Sequence, residues 1–217
     1  MDERATGLIL RTRFLTETSL IVHWLTLEFG RIATVAKGAR RPKSPFRGKL
    51  DLFHKAPFTF QRSRKSDLHN LREVQLESTF PNLRKDLSQL RQASYAVALV
   101  EQTTERETPL ETIYHLLESF LSHLNLTAFH ELSLPSFEMK LLRELGLAPD
   151  LTSASIHAGT RALLQKVTAC DWIQLTRLAP SPAQAKEIQR FLRAFMIYHL
   201  GRIPRQRHRD SEVGGVP

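Results

Sequence analysis

The hydrophobic pattern of this chain changes its period at Pro81 and Asn82, and this change constrains the fold more than any other feature. Before that point, apolar and polar residues alternate in five short segments, as they do in half-buried β-strands. After it, apolar residues recur every three or four positions, beginning with Leu83, Leu87 and Leu90, as they do along one face of an α-helix. The chain is therefore predicted to fold as a β-domain followed by a helical domain.

The alternating segments predict five β-strands in the first 80 residues. They span, in order, residues 6–13, 19–27, 31–37, 50–60 and 68–77. Pro57 indicates an edge or a bend in the fourth strand, because proline cannot donate to a strand ladder. Five short strands suit a small closed barrel of the OB type. The predicted fold class is therefore α+β, an N-terminal five-stranded OB-type β-barrel followed by an α-helical domain.

Start signals for helices divide the second part of the chain. Thr108-Pro109-Leu110-Glu111 and Ser181-Pro182-Ala183-Gln184 both match a capping box with proline at the first helical position. The C-terminal end lacks apolar side chains to bury and is predicted to be disordered. We expect an OB-fold nucleic-acid-binding domain at 1–80, an α-helical domain at 81–200 and a disordered basic tail at 201–217.

Positive charge is concentrated where the third predicted strand gives way to the fourth. No Asp or Glu occurs between Glu28 and Asp51, whereas this interval carries seven cationic residues: Arg31, Lys37, Arg40, Arg41, Lys43, Arg47 and Lys49. Glycines and prolines keep the second half of the interval out of helix and strand. Because crowded cations repel one another, a polyanion relieves the repulsion. The segment is a candidate phosphate-binding loop, and a solvated loop without a partner is the alternative.

The distribution of charge along the chain favours the first interpretation. The net charge is +9, and residues 1–80 hold 15 Lys and Arg against 8 Asp and Glu, whereas the remainder is nearly balanced. A basic segment followed by a nearly neutral one is typical of a nucleic-acid-binding module joined to another domain. No apolar run approaches the ~20 residues of a membrane span. Since Cys170 is the only cysteine, we expect a cytoplasmic protein without a metal or other cofactor.

Two further candidate contacts accompany the basic segment. Arg62, Arg64 and Lys65 form a second cluster in the turn predicted between the fourth and fifth strands. This cluster either contacts DNA or is a solvated hairpin tip. Phe46 lies between Pro45 and Arg47 and either stacks on a base, as aromatic residues do in single-strand-binding barrels, or anchors the loop in the barrel core.

Residues that would indicate catalysis are not organised into a motif. The sequence contains no GxSxG, Walker A or GxGxxG fingerprint. A nuclease needs clustered carboxylates to hold a divalent metal, but the few acidic residues between 29 and 80 are scattered among cations. We expect no enzymatic activity, with an RNA-binding OB-fold protein and a metal-dependent nuclease as the alternatives.

Three segments resemble the RecO family of bacterial recombinational-repair mediators. VAKGARRPKSPFRGKLDLF (35–53) resembles the family's loop and following strand. ASYAVALVEQ (93–102) is similar to its first long helix, and SFEMKLLRELGLAPDL (136–151) to the helix that ends on a leucine-glycine turn. The resemblance extends over roughly residues 5–150 in the family's order.

This resemblance implies a non-catalytic protein that binds single- and double-stranded DNA and anneals complementary strands. It implies that the protein acts with RecR and with the acidic C-terminal tail of the single-stranded-DNA-binding protein. Indirectly it serves RecA, which it helps to load onto coated single strands in DNA repair, at a cytoplasmic, nucleoid-associated location. Many members carry a four-cysteine zinc site after the APDL turn. This sequence has Thr152, Ser153 and His157 there and only Cys170 beyond, so no metal is expected.

Overall fold

The computed structural model describes residues 2–204, and the predicted tail lies outside the described residues from 205 onward. The strands are β1 Asp2–Phe14, β2 Leu20–Thr26, β3 Gly30–Ala36, β4 Lys55–Gln61 and β5 Leu68–Val74. A 3-10 turn at Pro81–Arg84 precedes the helices, which are α1 Leu87–Thr103, α2 Glu111–Leu126, α3 Ser133–Glu144, α4 Ala158–Ala169, α5 Trp172–Leu175 and α6 Pro182–Leu200. The predicted fold class, a five-stranded barrel followed by helices, is confirmed.

The barrel closes in the strand order β1-β2-β3-β5-β4. Neighbouring strands are antiparallel except β3 and β5, which pair in parallel around Thr34 and His69. The first half of β1 pairs with β4 and its second half with β2, and its register on β2 shifts between Ile9 and Arg11. Such a bulge bends a strand and increases its twist, which allows one long strand to serve two sides of a small barrel.

Trp24 lies at the centre of the barrel core. Its side chain is fully buried and stacks on Phe58 with 4.2 Å between the ring centroids. The indole Nε1 donates a hydrogen bond to Thr34 Oγ1 at 2.8 Å. Because this single donor is satisfied, the large apolar surface of the ring is buried without a polar penalty.

The described residues form two compact units. The first unit reaches Pro81 and also includes Glu101–Glu118, so the end of α1, the start of α2 and their connection group with the barrel. The second unit comprises Asn82–Val100 and the described residues from Ser119 onward. The domain boundaries expected from the sequence, 1–80 and 81–200, stay predictions.

One of the two predicted helix starts is confirmed and the other is wrong. Ser181 Oγ accepts a hydrogen bond from the backbone N–H of Gln184, whose side chain accepts one from the backbone N–H of Ser181, as a capping box requires. Thr108 does not cap α2, which begins three residues after it. Its Oγ1 donates to the carbonyl of Arg106 instead, and its backbone packs closely against Gly30. Tertiary contact therefore holds this segment as a loop.

His123 is a buried histidine of the second unit. Its Nε2 lies 2.9 Å from Ser133 Oγ, and its ring stacks on Trp172 with 5.1 Å between centroids. Burial lowers the pKa of His123 to about 4, and the nearby His130 lowers it further in the same direction. The neutral form is therefore the one that the folded protein accommodates.

We expect the free energy of unfolding to fall as the pH drops from about 6.5 to about 4. In this window an unfolded chain takes up a proton at His123, whereas the folded chain does not until its own pKa is reached. Protonation therefore favours unfolding. Replacing His123 with Gln should make this fall shallower, which thermal unfolding at several pH values measures. If the unfolding temperatures of both proteins changed equally with pH, His123 would not be the group responsible, since the acidic residues are the same in the two proteins.

Candidate nucleic-acid interface

Residues 37–49, here called the basic loop, connect β3 to the segment before β4 as a series of tight turns. Backbone N–H groups of Arg41, Ser44, Arg47 and Lys49 each donate to the carbonyl three residues earlier, at 3.0 to 3.2 Å. Gly38 and Gly48 within the loop have φ of +67° and +72°, a conformation that strongly favours glycine. The loop therefore has a defined backbone shape from which its long side chains project.

Phe46 ties the basic loop to the barrel. Its side chain is 7% exposed and belongs to the barrel core cluster, and the partly buried Leu50 packs against the same cluster. The same residue also lines a surface depression beside Arg47 and Leu50. Phe46 therefore connects the loop to the barrel core, and a contact of its ring with a base stays a prediction.

Three cations of the basic loop are freely presented. Lys37, Arg41 and Lys43 are exposed, and no described residue forms a side-chain hydrogen bond or ion pair with them. Arg40, Arg41 and Arg47 line a surface depression of about 490 Å³. A concave surface lined by three arginine residues favours phosphate, because a guanidinium group offers several donors in a fixed geometry.

The remaining cations of the loop make contacts within the protein. The Arg40 guanidinium donates to the Glu17 carbonyl at 2.8 Å and lies 4.1 Å from the centroid of the Phe14 ring. Arg47 Nη1 lies 3.3 Å from the Pro42 carbonyl. Lys49 Nζ donates to the Val74 carbonyl at 3.0 Å and so links the end of the loop to β5.

Arg31 lies at the other end of β3, six residues before the loop. It is half-buried, one guanidinium nitrogen donates to the Thr104 carbonyl, and burial lowers its pKa. With His23 and Arg106 it lines a small cavity of about 240 Å³. Burial, together with nearby arginines, lowers the pKa of His23 to about 4. The same cavity is also lined by Asp67 and Glu107, so cationic and acidic side chains are mixed at this end of β3.

The second predicted cluster divides into a paired and an unpaired part. The Arg62 guanidinium bonds both Glu3 at 2.9 Å and Glu107 at 2.8 Å, and these hydrogen bonds raise its pKa. Arg64 and Lys65 are exposed, and within residues 2–204 no side-chain partner occupies them. Arg64 and Lys65 therefore lie exposed in the β4–β5 turn, whereas Arg62 forms ion pairs with two carboxylates.

Residues 2–204 hold neither a cluster of metal ligands nor a helix suited to cross a membrane. No group of three or more His, Cys, Asp and Glu side chains in this range is placed to hold a metal ion. Cys170 follows α4 as a free thiol, and its carbonyl accepts a hydrogen bond from Lys140 Nζ at 2.7 Å. No helix in the same range combines the length and the apolar character that crossing a membrane requires.

A closed five-stranded barrel with this strand order, followed by helices, defines a protein with an OB-type N-terminal domain. Residues 1–80 match the family described as Recombination protein O N terminal, and residues 84–156 match Recombination protein O C terminal. The chain belongs to the RecO family, a family of DNA repair and recombination proteins, as its resemblance indicated.

Curated relatives extend this similarity over most of the chain. The chain is 28% identical over 205 residues to DNA repair protein RecO of Listeria monocytogenes serotype 4b, covering 93% of this chain and 80% of the relative. It is 32% identical over 160 residues to DNA repair protein RecO of Syntrophus aciditrophicus, covering 72% and 62%. The corresponding protein of Exiguobacterium sibiricum is 28% identical over 162 residues, covering 75% and 64%.

Proposed function

We propose that this protein is a non-enzymatic DNA-binding recombination mediator of DNA repair. It binds single- and double-stranded DNA, anneals complementary strands, and helps to load RecA onto single strands coated by the single-stranded-DNA-binding protein. Family membership supports the role in repair. The observation that carries the DNA contact is the basic loop, an acid-free segment anchored by Phe46 with freely presented cations.

In this proposal residues 1–80 form the DNA-binding domain. Some of its cationic side chains contact phosphate, and others stabilise the local structure. Phosphates lie against the exposed side chains of the loop and of the β4–β5 turn, which are Lys37, Arg40, Arg41, Lys43, Arg47, Arg64 and Lys65. Lys49, Arg62 and Arg31 hold the loop end, the turn and the start of β3 in place through their internal bonds. Such phosphate contacts orient the protein without reading bases, as a mediator that acts on any sequence requires.

The second unit is proposed to receive the acidic C-terminal tail of the single-stranded-DNA-binding protein. It contains a cavity of about 800 Å³ whose lining includes the apolar Phe129, Leu134 and Pro135 and the basic Lys186 and Arg190. The lining also includes Glu131 and Glu187. Its apolar and basic side chains complement a peptide that carries both apolar and acidic residues. RecR is the second proposed protein partner.

Annealing is proposed to need no nucleotide, because the sequence has no phosphate-cradling motif for ATP. The test combines fluorescence anisotropy on single-stranded DNA, duplex DNA and RNA of one length with annealing of complementary strands without ATP. Binding to both DNA forms and ATP-independent annealing is the expected result. A clear preference for RNA would favour the RNA-binding alternative, and metal-dependent cleavage of DNA the nuclease. Absence of DNA binding at low salt would overturn the proposal.

A further inference from the structure

Phe14 is an exposed aromatic side chain on a barrel that otherwise buries its rings. It ends β1 and is 74% exposed, whereas Trp24, Phe46 and Phe58 are each less than 9% exposed. Among the described residues of the first unit, it is the one phenylalanine, tyrosine or tryptophan that is exposed. A ring in this position adds almost nothing to the core, since burial is what makes an aromatic side chain stabilising.

The position of Phe14 relative to the basic loop is fixed by Arg40. The guanidinium lies 4.1 Å from the ring centroid, within the range of a cation–π contact. Arg40 donates two hydrogen bonds to the β1–β2 turn. Its guanidinium donates to the Glu17 carbonyl at 2.8 Å, and its backbone N–H donates to the Thr18 carbonyl at 3.0 Å. The ring is therefore placed beside the cations of the loop before any ligand arrives.

An exposed ring beside a cationic loop matches the two parts of a single strand of nucleic acid. Cations bind the phosphates, and an aromatic face stacks on an unpaired base. Bases in a duplex are already stacked on one another and do not offer their faces in this way. With most of the Phe14 side chain exposed, the ring keeps surface for a base while Arg40 lies over it.

We propose that Phe14 is a base-stacking residue for single-stranded DNA, held in place by Arg40. The inference rests on the proposed function and adds a contact to bases that the cationic residues do not make. It predicts that the protein binds a single strand with accessible bases more tightly than an abasic strand with the same charged backbone. It also provides a means of splaying bases for pairing, which annealing requires.

The test compares wild type with Phe14→Ala and Phe14→Leu on three probes of one length, which are oligo-dT, an abasic strand and a duplex. Leucine keeps apolar volume but removes the ring, so both variants should lose affinity for oligo-dT by about 5- to 100-fold at fixed salt. Affinity for the abasic strand and the duplex should change less than about twofold, because phosphate contacts remain. The slope of affinity against salt should stay as in wild type.

Two further variants complete the design. Phe14→Trp should retain affinity, and its added fluorescence should be quenched by oligo-dT but not by the abasic strand. Tyr198→Ala is the matched control, since Tyr198 is 84% exposed on α6 in the second unit. It should bind every probe like wild type. Circular dichroism checks that each variant is folded.

The contrary outcomes are distinct. An equal loss on oligo-dT and on the abasic strand would show that Phe14 acts only by placing Arg40 against phosphate, and an unchanged affinity for oligo-dT would place the ring outside the DNA path. Either result overturns base stacking and leaves the proposed function standing. A wild-type protein that binds neither strand would overturn the proposed function together with this inference.

Discussion

Replacing Lys37, Arg41 and Lys43 together with alanine should make the salt dependence of single-strand binding shallower by about 2 in log–log slope. Each phosphate contact on a single strand contributes a slope of about −0.7 through counterion release. At about 0.15 M salt the affinity should fall by roughly 50-fold for three lost contacts. The loss should be similar for all base sequences, because phosphates carry no sequence information.

These three residues give a clean test because their side chains are exposed and form no hydrogen bond or ion pair with a described residue. The variant should keep the wild-type circular dichroism spectrum and unfolding temperature. A matched control removes the same charge from the second unit through Lys85→Ala, Lys166→Ala and Arg177→Ala. Fluorescence anisotropy across a salt series compares the three proteins. A folded loop variant with the wild-type slope would show that the basic loop is a solvated surface and that DNA binds elsewhere.

The general fold was predictable because the strand and helix periods are strong over long segments. Local turn chemistry was less reliable, as Thr108 shows: it has the sequence of a helix cap but lies in a segment held against the barrel. The Glu107 N–H donates to the Arg31 carbonyl at 2.9 Å. A contact between residues so distant in sequence leaves no local signal and overrides a capping preference of about 1 kcal/mol.

The basic loop was predictable in position but not in the role of each side chain. Its lack of acidic residues and its glycines and prolines identify a cationic loop from sequence alone. The pairing of Arg62 depends on Glu3 and Glu107, which are 59 and 45 residues away. Such long-range ion pairs form only when the barrel closes and brings distant residues together. A count of charges in the sequence therefore cannot distinguish a paired arginine from a free one.

The two phenylalanines beside the loop make the same point for aromatic residues. Phe46 stands among prolines and cations in a sequence that looks exposed, yet it packs into the barrel core. Phe14 ends a strand in an alternating pattern, yet 74% of its side chain is exposed. Its sequence signal is weak: it follows Arg13 and precedes the polar hairpin turn, where the barrel no longer needs an apolar side chain. The sequence alone does not show which of the two rings is buried, because their burial depends on how the barrel closes.

Gly30→Ala is expected to destabilise the first unit by about 4 kcal/mol or more, among the largest effects of a single substitution. Gly30 has φ of +65°, and a Cβ built on it would lie 1.8 Å from the Thr108 carbonyl oxygen. The Cβ is bonded directly to the backbone of residue 30, and the oxygen belongs to the backbone of Thr108. The clash is therefore relieved only if the segment around Thr108 moves. That movement breaks the hydrogen bond from the Glu107 N–H to the Arg31 carbonyl and strains the Arg62–Glu107 ion pair.

Gly48→Ala separates this clash from the conformational cost of alanine. Gly48 has φ of +72°, but a Cβ there would meet no atom within 4 Å, so only the left-handed backbone penalty of about 1–2 kcal/mol remains. Urea unfolding followed by the fluorescence of Trp24, in a Trp172→Phe background, reports on the first unit alone. The midpoint should fall much further for Gly30→Ala than for Gly48→Ala. Equal midpoints would mean that the loop at Thr108 yields without cost, and that its packing against Gly30 contributes nothing to holding the barrel unit together.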